Sequence, residues 1–165
     1  MAETTAQTAP ATDAADPADA TPTEQPAPRV PAAEPDRAGF FWGTGRRKRA
    51  IARVRLRAGE GKFLVNGREI DAYFTELRDH QDATAPLKVT QTEGSLDVYV
   101  NVKGGGYTGQ AGAVVLGVSR ALKRYDTTLE QALRDNNMLT RDPRQVERKK
   151  YGQPGARKRF QFSKR

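Results

Sequence analysis

The sequence predicts an α+β fold: a two-layer α/β sandwich in which antiparallel strands are backed by helices on one face. Three observations predict it. Two stretches alternate apolar and polar residues with period two, as half-buried strands do. The stretch after the second of them repeats apolar residues at three and four, the stripe of an amphipathic helix. The chain ends cannot join this core. Residues 1–38 are an acidic Ala/Pro-rich extension without aromatic residues, and residues 141–165 carry ten Lys/Arg against Asp142 and Glu147, with almost no aliphatic side chains. Neither buries enough apolar surface to offset its ordering entropy, so the first should be disordered and the second an extended tail. Residues 39–140 are left as one modest globular domain.

Taken in order, Arg49 to Arg57 sets Ala50, Ala52, Val54 and Leu56 on one face and Arg49, Arg53, Arg55 and Arg57 on the other, with Ile51 as the exception. One face is core and the other cationic. The turn Ala58-Gly59-Glu60-Gly61 should close a hairpin onto Lys62 to Val65, and Asn66-Gly67 is a strong tight-turn signal. A short helix from Ile70 to Phe74 follows, then a weakly helical stretch, Leu77 to Ala85, which Pro86 breaks or restarts. Leu96 to Lys103 alternates cleanly, with Leu96, Val98, Val100 and Val102 inward and Asp97, Tyr99, Asn101 and Lys103 outward. Next, Ala111, Val114, Val115, Val118, Leu122 and Tyr125 line a helix with Thr108 as its cap and Arg120, Lys123 and Arg124 toward the other side. A last helix spans Thr128 to Asn136, with Leu129, Ala132 and Leu133 inward.

A net charge of +8 over 165 residues points to a polyanionic partner, and its distribution sharpens the point. Residues 1–38 hold seven acids against Arg29 and Arg37, a net of −5, so the remainder carries +13. One role open to the extension is an intramolecular screen that shields the basic body until it meets RNA. The chain has no Cys and a single His, His80, in polar surroundings, which leaves no thiolate, metal or triad chemistry to build. No stretch approaches the ~20 apolar residues of a spanning helix, and the N-terminus lacks a signal-peptide pattern. A cytoplasmic protein with no cofactor, membrane or small-molecule partner is expected.

The turn Gly104-Gly105-Gly106-Tyr107-Thr108-Gly109 fits G-x-G-x-x-G between strand and helix, the context of a dinucleotide site. A first Rossmann strand, however, is buried on both faces, whereas Leu96 to Lys103 exposes alternate polar residues. The acid at the right spacing, Asp126, lies between two helices, and the body is too short for two βαβαβ halves. The same glycines suit close approach to a sugar-phosphate backbone, with helix-start N–H groups offered to phosphate. Gly112 and Gly117 each cost the helix about 1 kcal/mol relative to Ala, which suggests close approach of a strand or of nucleic acid. Candidate RNA contacts in the body are therefore Arg46, Arg47, Lys48, Arg49, Arg53 and Arg55; Lys103, Gly104, Gly105, Gly106, Thr108, Gly109 and Gln110 around the turn; and Arg120, Lys123 and Arg124 on the helix. In the tail they are Arg141, Arg144, Arg148, Lys149, Lys150, Arg157, Lys158 and Arg159, interleaved with Tyr151, Phe160 and Phe162, because cations neutralise phosphates while aromatic faces stack on unpaired bases.

Three blocks, Gly43 to Leu56 (GTGRRKRAIARVRL), Gly104 to Leu122 (GGGYTGQAGAVVLGVSRAL) and Leu139 to Arg165, carry a resemblance to the small-subunit ribosomal proteins of the universal S-nine family, bacterial type. It runs from about Phe41 to the last residue and leaves the acidic extension outside. The resemblance implies a compact α+β domain with a left-handed β-α-β crossover, a site in the head of the small ribosomal subunit beside neighbouring head proteins, and binding to the ribosomal RNA of that subunit. It further implies that the tail threads through RNA until its end meets peptidyl-site transfer RNA, with Lys164 and Arg165 making the contact and Ser163 adjacent. Fully extended, 25 residues span at most about 80 Å, so reach is what such a tail supplies.

Overall fold

The computed structural model describes residues 34–164, so the expected disorder of the extension before Glu34, and Arg165, lie outside the described residues. The elements run β1 (Phe41–Arg47), β2 (Ala50–Ala58), β3 (Phe63–Val65), β4 (Arg68–Glu69), α1 (Ile70–Tyr73), α2 (Leu77–Val89), β5 (Leu96–Lys103), α3 (Tyr107–Tyr125) and α4 (Leu129–Asp135). One five-stranded sheet has the order β1-β2-β5-β3-β4. The architecture is α+β, with the inward positions of β2 and β5 buried under α3 and the opposite face of the sheet open.

Alternation explains β2 and β5. Ala50, Ala52, Val54 and Leu56 on β2 and Leu96, Val98, Val100 and Val102 on β5 all join the core, with Ala111, Val114, Val118 and Leu122 of α3 above them. A fully buried Leu or Val contributes about 1.5–3 kcal/mol, so this shared face dominates the fold. Asn66-Gly67 does turn β3 into β4, with φ of 51° and 80° as a type I′ hairpin requires.

Phe41–Arg47 is a strand that the sequence reading did not identify; it pairs along its whole length with β2. Five expectations fail, each for a physical reason. Arg49 is not in β2 but in the two-residue turn with Lys48 that joins β1 to β2. The segment after β2 does not close a hairpin onto β3: β2 and β3 flank β5 on opposite sides, β2 antiparallel and β3 parallel to it. The turn at Gly59 to Lys62 therefore crosses the start of β5, and Asp97 is what holds it. Its carboxylate accepts the backbone N–H groups of Glu60 (3.0 Å) and Lys62 (3.1 Å) and a side-chain bond from Arg57. Asp97, expected outward, is thus buried under the loop; burial pushes its pKa up, but those N–H donors and Arg57 outweigh it and hold the pKa below the ordinary value. Pro86 does not interrupt α2, which runs on to Val89; the ring is fully buried, and packing against α3 offsets the lost hydrogen bond. Thr108 is no cap, because α3 begins at Tyr107 behind Gly106 and has no side-chain cap at all.

The glycines of α3 belong to this packing. A Cβ on Gly45 would run into the carbonyl of Ala113 and the N–H of Gly117, and one on Gly117 would come within 2.7 Å of Val54 Cγ2. Helix backbone and strand backbone touch directly, which is the close approach that Gly117 signals. Because backbone atoms cannot rotate aside, Gly45→Ala should lower stability by roughly 2–3 kcal/mol in urea unfolding; an unchanged unfolding midpoint would show that α3 can lift off β1 freely.

Candidate nucleic-acid interface

The open face of the sheet reads as rows across three strands. Pairing sets Trp42 opposite Arg55 and Arg55 opposite Tyr99, then Thr44-Arg53-Asn101, then Arg46-Ile51-Lys103. The guanidinium of Arg55 lies 5.7 Å from the Trp42 ring centroid and 5.6 Å from that of Tyr99, Arg53 lies 5.3 Å from Trp42, and Arg57 lies 5.4 Å from Phe40 and 5.5 Å from Tyr99. Cation–π contact holds Arg53 and Arg55 beside the rings and leaves their N–H groups without a protein acceptor among the described residues, whereas Arg57 also donates to Asp97. Sequence reasoning found Arg46, Arg53 and Arg55 but missed Phe40, Trp42, Tyr99 and Arg57; the clue was the aromatic run Phe40-Phe41-Trp42 directly before an alternating Gly-Thr-Gly.

At the edge of the sheet, α3 reaches across to β1. Arg120 donates to the carbonyl of Thr44 (2.7 Å) and Arg124 to that of Trp42 (2.9 Å), covering an edge strand's free acceptors. Lys123 pairs with Glu130 at 2.7 Å, and that hydrogen bond, ahead of burial's opposing push, lowers the Glu130 pKa. Arg120, Lys123 and Arg124 line a groove of ≈ 380 Å³ with Trp42, Gly43 and Thr44.

A third region surrounds the start of α3. A cleft of ≈ 530 Å³ is lined by Lys48, Arg49, Gly105, Gly106, Tyr107, Thr108, Gly109, Gln145 and Val146. Gly104 and Gly105 take φ of 75° and 69°, which glycine adopts freely, and the first turn of α3, with no side-chain cap, lines the cleft. Gln110 is committed inward: it accepts from the Tyr73 hydroxyl (2.8 Å) and donates to the Gly104 carbonyl (3.1 Å).

Arg47 points away from the open face. Its side chain crosses α3 over Gly112, where any Cβ would collide with it, and donates through Nε (3.2 Å) and Nη2 (3.1 Å) to Asp142 and through Nη1 to the Thr108 carbonyl (3.0 Å). Asp142 also takes Arg144 at 2.8 Å. Arg47 and Arg144 are thus engaged in fixing the root of the tail. Beyond it, residues 141–164 form no helix or strand. Arg157 pairs with Glu147, whose pKa it lowers, and Arg148 donates to the Lys149 carbonyl. Arg141, Lys149, Lys150, Lys158, Arg159 and Lys164 are exposed and have no ion pair among the described residues, and Tyr151, Phe160, Phe162 and Ser163 are exposed too.

An arginine- and aromatic-lined sheet face, a glycine turn at a helix start and an aliphatic-poor basic tail mark the α+β domain as a candidate nucleic-acid-binding protein. A family model described as ribosomal protein S9/S16 matches residues 45–165. The small ribosomal subunit protein uS9 of Thermotoga neapolitana is 54% identical over 128 residues, covering 76% of this chain and 96% of that protein. The uS9 protein of Thermotoga maritima matches with the same identity and coverage. The chain belongs to the ribosomal protein S9 family, bacterial type: structural proteins of the small ribosomal subunit, cytoplasmic within the ribosome and not enzymes. Among the described residues no helix is long and apolar enough to cross a membrane.

The tail root gives a pH signature. Hydrogen bonds from the Arg144 side chain and backbone, then from Arg47, hold the Asp142 pKa well below the ordinary carboxylate range. A folded pKa below the unfolded ~3.9 means the anchor stabilises at and above that value and is lost only as pH falls further toward the folded one. Hydrogen exchange at the Arg144 amide, which donates to Asp142 Oδ1 at 3.0 Å, should therefore stay slow from pH 7 down to about 4, whereas Asp142→Ala should accelerate it already at pH 7. Equal exchange in both proteins would mean that the root is not held.

Proposed function

We propose that residues 39–140 dock on small-subunit ribosomal RNA in the head of the subunit, and that residues 141–165 thread onward until Ser163, Lys164 and Arg165 contact peptidyl-site transfer RNA. The Trp42-Arg55-Tyr99 row carries this reading, since it presents arginine edges for phosphate between rings that can take an unpaired base. Lys48, Arg49 and the start of α3 offer a second phosphate position, and Arg120, Lys123 and Arg124 a third at the sheet edge. The tail supports the division of labour, because its exposed cations and aromatics have no core to return to and can order on RNA. The left-handed sense of the crossover from β3 to β5 belongs to the same reading, as does the presence of neighbouring head proteins.

Phosphate contacts release counterions, so each one lost should flatten the slope of log affinity against log salt by roughly 0.7–0.9. Substituting Arg53 and Arg55 together by Gln should reduce that slope by roughly 1.5 to 2 for a ribosomal RNA fragment of the head, measured by filter binding. An unchanged slope would remove the open face from the interface.

Deleting Lys164 and Arg165 should leave incorporation into small subunits intact and weaken transfer-RNA binding in the peptidyl site. Sedimentation of the tagged protein with subunits and a transfer-RNA binding assay test the two halves separately. Loss of incorporation itself would overturn the assignment of docking to the body.

A further inference from the structure

We propose that residues 1–33 of this chain dock on the open face of the sheet, over Trp42, Arg53, Arg55 and Arg57, and screen it from non-cognate nucleic acid. The proposal rests on the reading of that face as an RNA surface. Its first support is charge. Residues 1–33 hold Glu3, Asp13, Asp16, Asp19 and Glu24 against Arg29, a net of −4, whereas the face offers Arg46, Arg53, Arg55 and Lys103, none of them ion-paired among the described residues. The second is where the segment enters. Glu34 and Asp36 line a cavity of ≈ 410 Å³ with Phe40, Phe41, Trp42 and Arg124. There the carboxylate of Asp36 accepts the Trp42 indole N–H at 3.2 Å, so one acid of the same composition already lies at the end of the arginine row. The third is reach. Thirty-three residues span at most about 110 Å, and even a third of that crosses strands about 4.8 Å apart.

Other occupants fit less well. The basic tail and a second copy of this face would both bring like charge to it. The segment's own composition fixes the strength of the contact: without aromatic residues it can offer only exposed charge pairs, individually weak, at the high effective concentration of a tether. Such a contact competes with weak, non-specific nucleic acid and yields to a folded RNA that engages several surfaces at once.

Trp42 is the only tryptophan of the chain and reports on the face directly. The full chain is compared with a variant of equal length carrying Glu3→Gln, Asp13→Asn, Asp16→Asn, Asp19→Asn and Glu24→Gln. Without RNA, the indole N–H resonance of Trp42 should differ between the two at low salt and coincide at about 0.5 M, where the Debye length falls to roughly 4 Å. Affinity for a twelve-residue oligouridine at low salt should rise by roughly fivefold or more in the neutralised variant, and that gain should vanish when Arg53, Arg55 and Arg57 are all Gln. Coincident indole resonances at low salt would overturn the docking. A shifted resonance with unchanged oligouridine affinity, or a gain that survives the triple Gln substitution, would overturn the screen. If the triple substitution left binding of both oligouridine and the ribosomal fragment untouched, the RNA reading of the face would fall, and the screen with it, while the indole shift still judged the docking.

Discussion

The direct contact between the backbones of α3 and β1 is the constraint from which the rest follows. Gly45 and Gly117 leave no side chain between them, so the helix lies hard against the first two strands. That seat covers one face of the sheet so thoroughly that Ala50, Ala52, Val54 and Leu56 have no solvent exposure worth counting. With period-two alternation, covering one face obliges the other to be open, and between the core positions of β2 lie Arg53 and Arg55, with Ile51 the one apolar exception. Core and cationic surface are two readings of one strand. The same seat also brings Arg120 and Arg124 within reach of the carbonyls of β1, so the helix that builds the core also closes the sheet edge.

Glycine in α3 is easily misread. A glycine-rich strand-to-helix turn suggests a nucleotide, and helical glycines suggest contact with a ligand. Here Gly117 serves the strand and Gly112 serves the Arg47 side chain, which needs the space to reach Asp142. Of the glycines in this turn and helix, Gly104 and Gly105 take the left-handed backbone, directly before α3 starts. The dinucleotide alternative is also closed by Asp126, which is buried at the end of α3 and accepts the backbone N–H (2.9 Å) and hydroxyl (2.7 Å) of Thr128. A carboxylate so committed has no ribose to hold.

What the sequence made legible is what depends on local periodicity. The inward faces of β2 and β5, the stripe of α3 and the Asn66-Gly67 hairpin needed only neighbours along the chain. The pairing of β3 with β5 was illegible because the turn Ala58 to Gly61 is compatible with a hairpin; the carboxylate of Asp97 and backbone bonds to Ser95 and Val98, thirty-odd residues away, divert it over β5. β1 was missed because Gly43 and Gly45 have poor strand propensity, and their value appears only once α3 is laid across them. In the interface, arginines were found from alternation, whereas the rings that orient them required cross-strand register. Arg47 was grouped with the outward cations because nothing local distinguishes it from Arg46; its partner lies 95 residues on.

That last pair separates two kinds of positive charge in a chain that has many. Arg47 spends three of its N–H groups inside the protein, and a guanidinium so engaged, with its side chain only 21% exposed, has little left for phosphate. Arg53 and Arg55 are held beside rings instead, at 5.3–5.7 Å from their centroids, and their N–H groups have no protein acceptor among the described residues. Lysine would not serve in either place, because it lacks the planar fork that can reach a carboxylate and a carbonyl together or lie flat between a Trp and a Tyr. The choice of arginine at these positions thus follows from geometry before charge. Net positive charge brings the chain to a polyanion; what the guanidinium edges face decides which residues meet it.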